Sequence, residues 1–370
     1  MRLRLLVVSS LLLVFCTGTG YAQTFMGTID GYWSYNTNTP NYELDPLNNP
    51  GVVTRRNPYR AFDINDQSFS LNYGELAIEY KPNNVGVRVD VGFGDAADVV
   101  SPSGWSRRVQ QAYITATKGK LTFDFGKFVT PIGAEVIETK DNWNYSRGLL
   151  FTLAIPFTHM GARATYVAND KVSLTGYLVN GWDNPTDENT AKSIGFSGTF
   201  KPHNKISFVT NYLTGKEGNS TDNMRHLFDG IVTINLHDRF TLMGNVDYGQ
   251  DKAADILPGV SGPRVVWQGI AGYAKIKAHD KVILSGRYEW FDDQDGFRTG
   301  TVQEMQSGTF TAQFPIVNDL VVWGEFRQDW SNRSTFPKTS EGVFAPVQSL
   351  TDHQNTFVVG LTYSFTKTVN

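Results

Sequence analysis

The chain has 370 residues, and its 33 Lys and Arg against 36 Asp and Glu give a formal net charge of −3. No polybasic tract is present, so the composition argues against a nucleic-acid partner. The single cysteine, Cys16, lies near the N-terminus, and without it the chain has no thiol for a disulfide or a thiolate metal site.

The first segment, residues 1–22, has the pattern of a secretory signal peptide. Two arginines precede an apolar run over residues 5–15, and small residues lie near Ala22, where a signal peptidase would cleave. A lipoprotein signal is the alternative, because Cys16 follows the apolar run. Phe15, however, stands where a lipobox needs a small residue. We therefore expect the signal to be removed.

After the signal, no segment has the roughly 20 continuous apolar residues of a transmembrane helix. Instead, short alternations of apolar and polar residues recur to the C-terminus, which is typical of membrane β-strands. Short breaks rich in turn formers follow some of them, at residues 81–84, 118–119, 168–170, 201–204, 237–238, 278–280 and 315–319. Longer polar breaks take turns with these, at residues 36–67, 95–106, 129–158, 183–191, 216–223, 251–263, 292–301 and 331–353.

Between the breaks the pattern predicts about sixteen strands, although merging or splitting one hairpin would give fourteen or eighteen. A strand that crosses lipid must belong to a closed barrel, because an exposed edge would leave backbone groups unpaired. Residues 23–370 are therefore predicted to form an all-β, transmembrane antiparallel β-barrel with short periplasmic turns and long external loops. The predicted strands are 24–35, 68–80, 85–94, 107–117, 120–128, 159–167, 171–182, 192–200, 205–215, 224–236, 239–250, 264–276, 281–291, 302–314, 320–330 and 354–365.

The last predicted strand shows the alternation most clearly. Its odd-numbered residues between Phe357 and Phe365 are all large and apolar, whereas its even-numbered residues are small or polar apart from Val358. Side chains alternate faces along a strand, so one set suits lipid and the other suits an aqueous lumen. A soluble β-sandwich is the alternative. It is disfavoured because the aromatic residues collect at strand ends, as at membrane interfaces, rather than at mid-strand.

The same alternation assigns charged side chains to the lumen, because a charge facing lipid would cost about 2–4 kcal/mol at the bilayer midplane. Such charges could create a field that selects solutes, or they could simply neutralise their neighbours. The candidate pore-lining residues are Glu79, Arg88, Asp90, Arg163, Asp247, Arg287, Glu289, Glu325, Arg327 and Asp329.

The break at residues 129–158 is the strongest candidate for a functional element. Its length of about thirty residues exceeds ordinary loop lengths, and its apolar residues 149–155 would be unfavourable on an exposed loop. We expect it to enter the barrel and narrow the pore. The alternatives are an outward loop that packs on neighbouring loops or subunits, and a constriction formed by residues 36–67. The candidate constriction residues are Glu135, Glu138, Asp141 and Arg147, with the carboxylates opposing wall arginines such as Arg88 and Arg163.

Several stretches resemble the OmpL-like β-barrel porin family of bacterial outer membranes. They are residues 69–72 (FSLN), 87–94 (VRVDVGFG), 111–113 (QAY), 126–135 (GKFVTPIGAE), 180–184 (NGWDN) and 360–365 (GLTYSF). The resemblance implies a passive channel for small hydrophilic solutes or ions, set in outer-membrane lipid. With the strand count, it also implies a homotrimer. Barrel-assembly signals commonly end on a C-terminal aromatic residue. This chain departs from that pattern, because five residues follow Phe365.

No catalytic or metal-binding pattern accompanies the strands. A nucleophilic site needs a serine held by an oriented histidine, and none of the six histidines has a nucleophile motif beside it. The sequence also lacks a His-x-x-x-His pattern, a carboxylate cluster at metal spacing and a Gly-rich phosphate loop. We therefore predict no enzyme, no cofactor and no metal. The runner-up function is a barrel plugged by its loops that acts as an adhesin or receptor.

Overall fold

The computed structural model describes residues 23–40, 42–43, 53–101, 106–218, 224–252, 262–317, 319–340 and 347–369. The predicted signal peptide lies outside the described residues and stays a prediction. Among the described residues, no helix is long and apolar enough to cross a membrane.

Sixteen antiparallel strands close into a barrel, and two further hairpins of short strands lie in its loops. In chain order the strands are Gln23–Asn36 (β1), Tyr42–Glu43 (β2), Val53–Thr54 (β3), Phe69–Tyr80 (β4), Val85–Phe93 (β5), Val109–Lys118 (β6), Leu121–Val129 (β7), Thr158–Asn169 (β8), Val172–Val179 (β9), Ser193–His203 (β10), Ile206–Lys216 (β11), Met224–His237 (β12), Phe240–Lys252 (β13), Arg264–His279 (β14), Val282–Asp293 (β15), Gln303–Val317 (β16), Leu320–Ser331 (β17), Phe336–Ser340 (β18), Val347–Thr351 (β19) and His353–Val369 (β20). The barrel strands are β1, β4 to β17 and β20, which confirms the predicted fold class and strand number.

The ends of five strands, β9, β10, β14, β16 and β20, differ from their predicted positions by three or four residues. Strand β9 ends at Val179, three residues before the predicted end, because the backbone turns at Gly181 and Asp183, both at positive φ. Strand β20 continues four residues past Phe365 to Val369, where it pairs with Gln23 of β1. The unusual tail therefore extends the closing strand, since pairing with β1 satisfies its backbone groups.

The two faces of β20 differ in exposure as the alternation predicts. Its odd-numbered residues from Phe357 to Phe365 are exposed on the outside of the barrel, whereas Val358 and Thr362 are buried on the inside. Strand β5 repeats the pattern, with Val89 and Val91 exposed and Asp90 buried. The outer face of both strands is apolar and suits lipid.

Three of the loops contribute buried residues to the barrel interior. Loop 1 (residues 37–68) contributes Phe62, loop 2 (residues 94–108) contributes the short helix α1 (Asp95–Val100), and loop 3 (residues 130–157) contributes the apolar run that begins at Leu149. Loop 3 includes a 3₁₀ turn at Thr139–Asp141 and a π-helical turn at Leu150–Ala154. Parts of both candidate constriction segments, residues 36–67 and 129–158, therefore lie inside the barrel. Their apolar side chains need an environment that excludes water.

The barrel wall provides that environment on one side. Inward-facing positions of β11 to β16 that are usually polar in a water-filled barrel carry large apolar residues here. Together with Leu150 and Phe151 of loop 3, they form one buried cluster, which includes Leu213, Leu227, Trp267, Phe291 and Met305. Loop 3 therefore packs against the wall formed by β11 to β16, and open space remains on the opposite side.

Candidate functional site

The open space is a chamber of about 750 Å³ between loop 3 and the wall formed by β1, β4 to β8, β17 and β20. Its charged wall residues are Glu75, Arg88, Arg163 and Asp319, and its polar wall residues include Gln111 and Tyr113. Loop 3 contributes Glu138, Lys140 and Asp141. Charged groups from both sides therefore meet in one polar cavity.

The two wall arginines are held by carboxylates on neighbouring positions of the barrel. Arg88 donates from Nε to both Asp90 carboxylate oxygens at 3.0 Å. Arg163 donates from Nε to Asp124 Oδ2 at 2.8 Å, and its guanidinium carbon lies 4.5 Å from the centre of the Phe128 ring. In the described part of the chain, neither arginine uses its terminal Nη groups in a hydrogen bond. The orientation of each guanidinium is thus fixed through Nε, while its Nη groups remain available for hydrogen bonds to a solute.

On the other side of the chamber, the tip of loop 3 is a compact turn. Asn142 donates to the backbone oxygens of Val136 and Glu138 at 2.8 and 2.9 Å, and Lys140 pairs with Asp141 at 2.5 Å. Burial raises the pKa of Glu138, and the nearby Asp141 charge adds to this effect. The charges of Lys140 and Arg147 oppose the rise, but Glu138 has no cation within ion-pair distance among the described residues. Glu138 therefore presents an acidic group without an ion pair to the chamber.

Loop 3 is fastened to the wall by a buried ion-pair network. Arg287 of β15 donates from Nη1 to Glu135 Oε1 at 2.6 Å and to the Ser146 backbone oxygen at 2.7 Å. Its Nε lies 3.0 Å from Glu289 Oε2. Burial raises the pKa of Glu135, and the Arg287 charge opposes that rise. These three charged side chains are buried, so they serve loop docking rather than the surface of an open pore.

Side chains of strand β17 bind backbone groups of loop 3. Glu325 accepts hydrogen bonds from the backbone N–H groups of Tyr145 and Ser146 at 2.6 and 3.0 Å. Arg327 donates from Nη1 to the backbone oxygen of Arg147 at 2.6 Å. We call Glu135, Arg287, Glu289, Glu325 and Arg327 the latch. Their positions on β15, β17 and loop 3 join distant parts of the chain.

Arg147 organises the inside of loop 3. Its guanidinium carbon lies 4.1 Å over the Phe62 ring of loop 1, and it donates to the backbone oxygens of Val136, Ile137 and Tyr145. Burial lowers the pKa of Arg147, and the charges of Asp30 and Glu135 oppose this. Because the side chain is fully enclosed, Arg147 supports the loop and does not face the chamber.

Asp247 also lies away from the chamber. It is buried on β13 directly opposite Asp229 of β12. Asp229 accepts hydrogen bonds from Asn211, Asn245 and the Gly133 N–H of loop 3. Neither Asp247 carboxylate oxygen has a hydrogen-bond donor among the described residues. Asp229 thus adds a further wall carboxylate that contacts loop 3.

Comparison with known proteins identifies the family to which the chain belongs. The family model for OmpL-like beta-barrel porins, beta-barrel porin-2, matches residues 23–365. The chain belongs to this family. It is a porin-like barrel of the bacterial outer membrane. No curated protein sequence matches it.

Solved structures of outer-membrane barrels share the fold of this family member. OmpT of Vibrio cholerae has a TM-score of 0.61 and 13% identity, over 94% of this chain and 99% of that chain. The anion-selective porin from Comamonas acidovorans has a TM-score of 0.60 and 10% identity, over 93% and 100%. The outer membrane channel DcaP of Acinetobacter baumannii has a TM-score of 0.60 and 12% identity, over 94% and 99%. At these identities the likeness shows the fold alone.

The predicted pore-lining residues separate into two groups in this porin. Arg88 and Arg163 line the chamber, and Asp90 accepts a hydrogen bond from Arg88 Nε. Glu79 lies opposite Arg88 on the neighbouring strand β4. The other group is buried inside the barrel, away from the chamber. It comprises Asp247, Arg287, Glu289, Glu325, Arg327 and Asp329. Strand alternation identifies the inward face, but it does not reveal whether a loop lies on that face.

The predicted constriction residues divide in the same way. Glu138 and Asp141 lie in the chamber with Arg88 and Arg163. Glu135 does not oppose those arginines, because it is buried against Arg287 on the other side of loop 3. Arg147 is likewise enclosed within the loop, as described above.

The chamber residues that were not among the predicted site residues include Glu75, Gln111, Tyr113, Lys140 and Asp319. Glu75 could have been found from the alternation of β4, because the adjacent Leu76 faces outward. Gln111 and Tyr113 lie in a stretch that carries the family resemblance, but an uncharged side chain on the inward face gives no special signal. Lys140 is next to Asp141 in the sequence, and only its position in the folded chamber marks it as a site residue.

Proposed function

We propose that this porin forms a narrow aqueous channel for passive diffusion of small hydrophilic solutes across the outer membrane. The observation that carries the proposal is the polar chamber between the loop 3 tip and the barrel wall. Its charged side chains favour water, ions and hydrophilic solutes over apolar molecules. Loop 3 fills the opposite side of the barrel, so it would set the narrowest part of the route.

The charges around the chamber favour cations. Its carboxylates, including the two that hold the arginines, outnumber its cationic groups by three, six against three. The carboxylates are Glu75, Asp90, Asp124, Glu138, Asp141 and Asp319, and the cationic groups are Arg88, Lys140 and Arg163. An excess of fixed negative charge in a narrow passage raises the local concentration of cations.

A loop-plugged barrel that acts as an adhesin or receptor is the second candidate. It is favoured by the extent of packing inside the barrel, where Phe62 of loop 1 and Phe151 of loop 3 have ring centres 5.8 Å apart. If these loops closed the route completely, no ions would pass. Conductance therefore separates the two functions.

Single-channel recording in asymmetric KCl tests the channel proposal. We expect discrete current steps and a reversal potential that reports cation preference. The double variant Glu138→Gln with Asp141→Asn should move the reversal potential toward zero, because it removes two of the carboxylates at the passage. The matched control Glu188→Gln changes an exposed residue outside the chamber and should leave selectivity unchanged. Folded barrels without current would overturn the channel and favour the plugged receptor.

We further propose that the protein is a homotrimer. The proposal is supported by the relatives, because one solved form of OmpT from Vibrio cholerae is described as a trimer, at a TM-score of 0.55 and 13% identity. Cross-linking in detergent should give a ladder that ends at three copies. Light scattering that detects only single copies at all concentrations would contradict the trimer.

A further inference from the structure

We propose that the chamber binds zwitterionic solutes that carry one carboxylate and one ammonium group, such as free amino acids. This inference rests on the proposed channel function and names its class of solute. It is carried by two groups of side chains of opposite charge in the same 750 Å³ cavity.

The first group fits a carboxylate. Arg88 lies opposite Tyr113 in the β5–β6 register, and the guanidinium carbon of Arg163 lies 5.3 Å from the centre of the Tyr113 ring. Both arginines are oriented by wall carboxylates through Nε, and their side chains stay 25% and 21% exposed. The two Nη groups of a guanidinium match the two oxygens of a carboxylate. Tyr113 stands between them, and its hydroxyl makes no hydrogen bond to another described residue.

The second group fits an ammonium. Glu75 of β4 and Glu138 of loop 3 come from opposite sides of the chamber, and their charges interact. Glu75 accepts a hydrogen bond from the Tyr73 hydroxyl at 2.6 Å, but neither glutamate has an ion pair among the described residues. Lys140, the loop cation nearest in sequence to Glu138, pairs with Asp141. An ammonium has three N–H donors, so it would hydrogen-bond to both carboxylates and compensate one of their two negative charges.

A zwitterion suits this cavity better than a simple ion. A lone anion that reached the arginines would meet the excess of carboxylates, and a lone cation at the glutamates would meet the arginines. A molecule that carries both charges gains from both groups and adds no net charge. The cavity volume also admits a small organic molecule rather than an ion alone.

Block of the ion current by L-alanine tests the site. We expect saturable block by alanine, with propionate, ethylamine and glycerol each at least about fivefold weaker, the loss expected for one ion pair of about 1 kcal/mol. Glu138→Gln and Tyr113→Phe should each weaken alanine block, measured as the fraction of that variant's own KCl current that alanine stops. Tyr166→Phe, on the outer face of the barrel, is the matched control.

Equal block by alanine and propionate, or alanine block that both variants leave unchanged, would overturn the inference while the channel stands. If the protein carries no current, the channel proposal fails. Alanine binding to the detergent-solubilised protein is then measured by saturation-transfer NMR. Binding that Glu138→Gln weakens would support the site, and no binding would overturn it.

Discussion

Replacement of Arg287 by methionine should release loop 3 from the barrel wall. Arg287 pairs with Glu135 and Glu289, and all three side chains are buried. Loss of one partner from a buried ion pair costs about 3–5 kcal/mol, because the remaining charge stays uncompensated. Trypsin should then cleave after Arg147, which is enclosed in the wild-type protein, and single-channel conductance should rise as the loop leaves the lumen.

Two further variants separate release of the loop from a general loss of folding. Lys277→Met removes the cation of an exposed pair with Asp280 and should change neither readout, since such pairs contribute about 0–1 kcal/mol. The triple variant Arg287→Met, Glu135→Gln, Glu289→Gln should recover part of the protection, because none of the three positions then carries a charge. The contrary result is a single variant with unchanged circular dichroism in which trypsin still does not cleave after Arg147. It would show that the latch does not hold the loop.

Replacement of Phe151 by alanine should loosen loops 1 and 3 together. The Phe151 ring packs against Phe62 of loop 1 and against Phe157, with ring centres 5.8 and 5.2 Å apart. Truncation of a buried phenylalanine costs about 3–5 kcal/mol, because the site loses apolar burial and retains a cavity. We expect trypsin to cleave after Arg60 as well as after Arg147, since both arginines are buried in the loops that share this contact.

The control for Phe151→Ala is Val136→Ala, which shortens an exposed side chain of the same loop and should leave both sites protected. Cleavage after Arg147 alone would contradict the coupling of the two loops. Arg60 offers a reason why loop 1 could stay in place, because it forms ion pairs with Asp63 and with Asp329 of β17 at 3.0 and 2.8 Å. The pattern of cleavage therefore decides whether the aromatic contact or the ion pairs dominate.

The sequence by itself determined the barrel and the inward face of its strands. Alternation with a period of two is a local property, because each side chain of a strand points opposite to its neighbours. The exposed odd-numbered residues of β20 and the inward Arg88 of β5 both follow from that rule. Turn residues between the strands fixed the count, since each hairpin needs its own break.

Only the tertiary structure decided which inward charges meet the chamber. Arg88 and Arg287 occupy equivalent positions in the strand pattern, yet Arg88 lines the cavity and Arg287 is covered by loop 3. The difference arises from a contact between Arg287 and Glu135, which are 152 residues apart in the chain. Docking of a long loop depends on how its apolar and charged groups fit a distant wall, and neither local periodicity nor composition contains that fit.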